Sequence, residues 1–406
     1  MLPILFSIAA IVFSTVILQL GNNMIAPLLV LRASNAGENL GYVGLIPTAY
    51  GIGFVFGCFW GQKLINHVGL IRAFAVAAAL LASLAIIMHL TSNTAGWIAI
   101  RGIMGCSIAI VSTCADSWVG RGTPTAMRGQ VMGLYAAVTK LAHVSAPTLL
   151  AASIYVSDQG ILIAASLFAL SLVPVAMAKM PAPEEMMEKN GLSFRALFIA
   201  APSSIAAASA VGLANGAVLN FLPIYGLSIN FPMSEAVALL AYAHFGGLLM
   251  QWPLGLISDV VGRRAVMATG LIVASAIAII ISMQTTSAGN LIFWLVFIWG
   301  GFALSIYSIA LSHAIDHFEG DNLVSICATM LVTWSTASVM GPVLAGLVME
   351  SFGPTAMFSF SATCQALAGL FIIARMLNTK RRKSKKGFVN VPISSGLLHS
   401  LDPRRK

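Results

Sequence analysis

Charge is what this sequence has least of: across 406 residues only 9% are Asp, Glu, Lys or Arg, and Asp and Glu together number 13. Soluble globular chains carry about a quarter charged residues, so a water-soluble fold is excluded. Cysteines are five. Cys58, Cys106, Cys114, Cys327 and Cys364 all sit inside apolar stretches without metal-ligand spacing, which argues against a disulfide-stapled ectodomain and against a zinc site. HExxH, GxSxG and phosphate-binding glycine loops are missing, as are paired acids at membrane depth. No enzyme chemistry, no cofactor and no metal are therefore expected, and ATP-driven pumping would require a separate subunit.

What the chain does have is apolar length, with 58% hydrophobic residues and a mean hydropathy of +0.91. One bilayer crossing takes ~20 mainly apolar residues. Apolar segments cover residues 4–31, 41–60, 73–90, 97–118, 131–154 and 161–178, and six more cover 194–225, 236–260, 265–283, 291–315, 323–348 and 355–377. The opening run is longer than a signal-peptide core and lacks a basic leader, so it is expected to stay as the first crossing. Between the two sets of six, "KMPAPEEMMEKNGLSFR" has the prolines and acids of a solvated linker. The expected fold is an all-α membrane protein of twelve transmembrane helices: a bundle at 1–178, a cytoplasmic linker at 179–193, a bundle at 194–377, and a disordered basic tail at 378–406.

The net charge of +9 is distributed as a topology signal. With both termini in the cytoplasm, Lys63, Arg72, Arg121, Arg128, Lys179, Lys189, Arg195, Arg263, Arg264 and the tail all fall on the cytoplasmic side, and the other face keeps Arg32. That is a heavy positive-inside bias. Tail residues "NTKRRKSKKGF" read as a solvated end touching anionic lipid headgroups. Nucleic-acid binding would need interleaved aromatics, and the tail offers Phe388 alone.

After segment eight the sequence reads Gly255-Leu-Ile-Ser-Asp259-Val-Val-Gly262-Arg263-Arg264. Glycine permits the tight turn, and Asp259 can accept from nearby arginines. An eroded copy follows segment two, with Asn66 in place of the acid, then Gly69 and Arg72. Arg101 and Gly105 form an Arg-x-x-x-Gly element, and Gly341-Pro342-Val-Leu-Ala-Gly346 a glycine-proline one.

These elements resemble those of the major facilitator superfamily. The stretches "DSWVGRGTPTAMRGQVMGLY", "NGAVLNFLPIYG", "QWPLGLISDVVGRR" and "GGFALSIYSIALSHAID" resemble its YcaD-like bacterial branch. The resemblance implies two pseudo-symmetric six-helix bundles, the major facilitator fold, with alternating access around a midplane site. It also implies that Asn66, Gly69, Arg72, Asp116, Arg128, Gly255, Asp259, Gly262, Arg263 and Arg264 serve as cytoplasmic gate loops. Asp116 is expected to clamp Arg121 and Arg128.

Charges inside the bilayer cost ~2.5–3.5 kcal/mol each, so the few present need a partner, water or a snorkelling route. Arg101 lies about a turn inside segment four. Lys140 lies about ten residues into segment five, ~15 Å from the cytoplasmic face. His143 follows it at i+3, and His244 and Gln251 make a second polar stripe on segment eight. Asn22 and Asn23 stand mid-segment one, where drug–proton antiporters of the family carry an acid. Asn215, Asn220, Tyr225, Tyr307 and His313 add hydrogen-bonding groups to segments seven and ten. Each histidine could equally satisfy a backbone carbonyl and hold helices together.

The expectation is a secondary transporter in a bacterial inner membrane, working as a monomer on a small-molecule substrate. With Arg101 and Lys140 inside and no matching acid, an anionic or carboxylate-bearing solute coupled to protons through a histidine fits best. Efflux of lipophilic drugs is the alternative within that class, and a non-transporting membrane scaffold or sensor the alternative outside it.

Overall fold

The computed structural model describes residues 2–123, 128–152, 159–177, 194–284, 289–317 and 323–378, all helix, turn or short connection with no strand among them. Sixteen helices are described. α1 is Leu2–Asn35, α2 Leu40–Val43, α3 Leu45–Val68, α4 Leu70–Leu90, α5 Thr94–Gly122, α6 Arg128–Ala152, α7 Gly160–Leu170 and α8 Leu172–Ala176. Then come α9 Phe194–Ala200, α10 Pro202–Ser228, α11 Met233–Val261, α12 Arg263–Ser282, α13 Asn290–Ala303, α14 Ile306–Ile315, α15 Leu323–Phe352 and α16 Ala356–Leu377. Among the described residues, ten helical stretches are long and apolar enough to cross a membrane. The remaining two of the twelve segments are α6 and the α7–α8 pair. The linker at 179–193 and the tail from 379 on lie outside the described residues.

Only helices close all their backbone hydrogen bonds within one segment, which is why an apolar chain in lipid takes this form. Serine and threonine are accommodated by bonding back along their own helix, as Thr113 does to Ala109 O at 2.8 Å and Thr15 to Ile11 O at 2.8 Å. Large apolar side chains such as Phe59, Trp252, Val260 and Leu377 stand exposed on the outer surface, where lipid tails would cover them.

Segment ten is not one rod. α13 stops at Ala303 and α14 starts at Ile306, with the Leu304 amide still bonded to Gly300 O at 3.0 Å and the Ser305 amide to Phe302 O at 3.2 Å. Segment six breaks likewise at Ser171, which is wholly buried and donates to Phe168 O at 2.7 Å.

Two compact units divide the chain. The described residues of Met1–Leu29 and Ala49–Asn190 form the first, and those of Val30–Thr48 and Gly191–Asn390 the second. Residues 30–48, early in the sequence, therefore pack with the later helices. Gly44 sets its Cα against Pro342 O so closely that a Cβ would lie 2.5 Å from that oxygen, and Thr48 Oγ1 donates to Val339 O at 2.7 Å.

Two glycines join one long helix directly to the next. Gly69 joins α3 to α4 with φ 84°, and Gly262 joins α11 to α12 with φ 110°. Side-chain-bearing residues rarely adopt such φ. These are the glycines that the two related sequence elements mark as turns.

Candidate functional site

In the first unit, α5 carries Arg101 into the interior with only 2% of it exposed. Its guanidinium carbon lies 4.1 Å from the centre of the Tyr50 ring on α3. Asn22 on α1 donates from Nδ2 to the Tyr50 hydroxyl at 3.0 Å. Three helices thus meet at one cation. The approach depends on Gly105, one turn after Arg101, because a Cβ there would collide with the Tyr50 carbonyl oxygen.

The cluster is incompletely satisfied. Arg101 Nε and Nη1, Asn22 Oδ1 and Asn23 Nδ2 are buried without a hydrogen bond, and among the described residues no carboxylate pairs with Arg101. A cation over an aromatic face gains ~0.5–2 kcal/mol, and no carboxylate adds to that gain here, whereas insertion scales charge an arginine up to ~2.5–3.5 kcal/mol, the full cost falling at the helix centre. The arrangement is therefore short of negative charge.

Tyr50 was not among the residues that the sequence singles out. Its role arises from the contact between α3 and α5, whose sequence traces are glycines: Gly105 four residues after Arg101, and Gly53 and Gly57 on α3, set against the Gly102 and Cys106 carbonyls.

Lys140 on α6 is half-buried, and its charge acts on His143, one turn along. His143 donates from Nδ1 to Thr139 O on its own helix at 3.0 Å. Asp116, at the far end of α5 from Thr94, is fully buried, and its charge acts on Tyr135 of α6. Fifteen residues of helix, ~22 Å, separate it from Arg101. The side chains of Arg121 and Arg128, expected beside Asp116, lie outside the described residues.

In the second unit, Gln251 of α11 donates to Ser308 of α14 at 2.8 Å, and His244 stands half-buried two turns earlier. Asn215 of α10 donates to Ala303 O at 3.3 Å, Asn220 to Gly216 O of its own helix at 2.8 Å, and the Tyr225 hydroxyl to Ile281 O at 3.1 Å. Tyr307 packs on Trp334 with ring centres 5.8 Å apart. Most of these groups tie helices together, whereas His313 takes part in a different cluster with Arg264, 3.1 Å away.

At the Gly262 corner Arg263 Nε lies 2.6 Å from Asp316, and its second guanidinium nitrogen 3.5 Å from Asp259. Gly255 is buried within α11 and accepts from Ser258 at 2.6 Å. The Gly69 corner is plainer: Leu70 follows the glycine where Arg263 follows Gly262, and Asn66 and Arg72 are exposed. No group of three metal-ligating side chains occurs among the described residues.

The sequence profile of the Major Facilitator Superfamily matches residues 11–312 and again 242–401. The chain belongs to that superfamily. Relatives include the MFS-type transporter YcaD of Salmonella paratyphi A, 20% identical over 385 residues that cover 91% of this chain and 95% of the relative. The same transporter of Salmonella typhi is 20% identical over 351 residues, covering 83% of this chain and 87% of its own. Among solved structures, the nucleoside transporter NupG superposes with a TM-score of 0.74 at 14% identity, over 94% of this chain and all of that one. A POT family transporter in complex with a thioalcohol-conjugated peptide superposes with a TM-score of 0.70 at 16% identity, over 92% and 96%. The facilitator is thus a multi-pass membrane protein of the secondary transporter class with a small-molecule substrate, and not an enzyme.

Proposed function

We propose that this facilitator carries a small anionic or carboxylate-bearing solute across the bacterial inner membrane by alternating access, with proton coupling and both termini in the cytoplasm. The observation that carries this reading is the Arg101 guanidinium, 2% exposed, held over Tyr50 and lacking a carboxylate partner. A solute carboxylate would supply the missing charge and accept from Nε and Nη1, while Asn22, Asn23 and the Tyr50 hydroxyl read its neighbouring polar atoms. Lys140 adds a second positive charge to the same unit. The positive-inside count supports the orientation, and His143 of α6 and His244 of α11 are the imidazoles suited to carry the coupled proton.

The experiment is a thermal-stabilisation screen of the purified full-length protein against mono- and dicarboxylates, phosphate esters, neutral sugars and nucleosides, and lipophilic cations. Carboxylates that stabilise the unaltered chain and lose their effect in Arg101→Gln support the proposal. Stabilisation by lipophilic cations, or by neutral solutes alone, overturns it in favour of drug efflux or a neutral cargo.

A further inference from the structure

Where α14 ends, one guanidinium faces two imidazoles. Arg264 Nε donates to His313 Nε2 at 3.1 Å, and its Nη2 lies 3.5 Å from His317 Nε2. His317 Nδ1 donates to the His313 carbonyl oxygen at 2.8 Å, and the two rings meet edge to face with centres 4.4 Å apart. A guanidinium has donors and no acceptor. Each Nε2 that faces it must therefore offer a lone pair, which fixes both imidazoles as neutral rings protonated at Nδ1. A proton arriving at either Nε2 takes the lone pair that Arg264 uses and places a new positive charge against it.

The charges around the pair sharpen this competition. α12 brings Arg263 and Arg264, and Arg263, Arg264 and His317 all act on His313. α16 brings Arg375, whose charge acts on Arg264. The acids are Asp259 of α11 and Asp316 just past α14, and both are engaged by Arg263. α10 and α13 carry no charged residue, and α15 contributes Cys327, beside Tyr307.

We propose that Arg264, His313 and His317 form a proton-binding site in which the proton and the Arg264 guanidinium compete for the same imidazole nitrogens, so that protonation releases the Arg264 side chain from the end of α14 and leaves Arg263–Asp316 as the charged tie between α12 and α14. The site deepens the proton-coupled reading above and depends on it for its role in transport, though not for its existence. Arg264 lies two residues past the Gly262 corner, so its release removes one of the two arginine contacts that tie the start of α12 to the end of α14.

The test is nitrogen NMR of full-length protein in lipid nanodiscs, labelled at histidine and assigned with His313→Gln and His317→Gln. In the unaltered chain at alkaline pH both residues show the Nδ1-protonated neutral form, and acidification converts them to imidazolium. In Arg264→Gln, the imidazolium fraction of the pair at one fixed, mildly acidic pH is several-fold larger. An Nε2-protonated ring at either position, or an imidazolium fraction that Arg264→Gln leaves unchanged, overturns the proposal. The tautomer is read in the unaltered chain, so it decides the matter even where Arg264→Gln does not fold. No substrate is required, and failure here is separable from failure of the carboxylate screen.

Discussion

Asn39 donates through Nδ2 to the carboxylate of Glu350, joining residues 311 positions apart in the sequence. The pair is exposed, and exposed polar pairs contribute ~0–1 kcal/mol. The tighter adhesion lies beside it, where Gly346 lets the α15 backbone approach the Leu40 carbonyl oxygen and Gly44 faces Pro342 O. Forcing a side chain into such a contact costs ~1–3 kcal/mol. Glu350→Gln should therefore leave thermal unfolding in detergent nearly unchanged, while Gly346→Val lowers the transition clearly. Equal effects would show that the polar pair, not the backbone approach, holds residues 30–48 on α15.

Arg101 sets stability against function. Burying an uncompensated cation costs more than its contact with Tyr50 returns, and apolar replacement of buried charges is often neutral or stabilising by ~1–4 kcal/mol. Arg101→Met should unfold at the same or a higher temperature than the parent and bind no carboxylate. A marked loss of stability would mean that the guanidinium is already satisfied without a solute.

The corner glycines offer a cleaner case. Nothing lies within 4 Å of a Cβ built on Gly69, so any cost of substitution there is backbone conformation alone, ~1–3 kcal/mol for a side chain forced to such a φ. Asparagine tolerates positive φ better than β-branched residues do. Gly69→Asn should melt closer to the parent than Gly69→Val, and Gly262 should show the same order. Identical melting of the asparagine and valine variants would contradict the turn geometry.

Arg263 is 2% exposed at its side chain and Asp316 10%. Removing one partner of a buried pair leaves the other uncompensated, a loss of ~3–5 kcal/mol. Arg263→Met should be strongly destabilising, and adding Asp316→Asn should recover part of the loss, as measured by a double-mutant cycle of unfolding free energies. Additive losses would show the two side chains to be independent.

Helices and corners were legible because their signals are local: a run of ~20 apolar residues, or a glycine at the exit of one, needs no knowledge of neighbours. Arg101 stood out for the same reason, since a charge in an apolar run is costly wherever it points. Tyr50 did not, because an aromatic residue in a greasy helix looks like every other until a cation from a second helix lies over it. Segment ten shows the limit in another way. Its apolar run continues unbroken through Leu304 and Ser305, and no glycine or proline sits at that junction to announce the break. The Arg264–His313–His317 cluster was half visible: the second-half loop marked Arg264 and the polar content of segment ten marked His313, but nothing in either set them on each other, and His317 lay just past the end of that run.

Residues 30–48 are made early yet settle on a helix that is made late. At roughly 5–20 residues per second, the 311 positions between Asn39 and Glu350 take about 15–60 s to synthesise. Through that interval residues 30–48 lack the α15 surface on which they settle, and whatever insertase or lipid attends the nascent chain must shelter that face until α15 emerges.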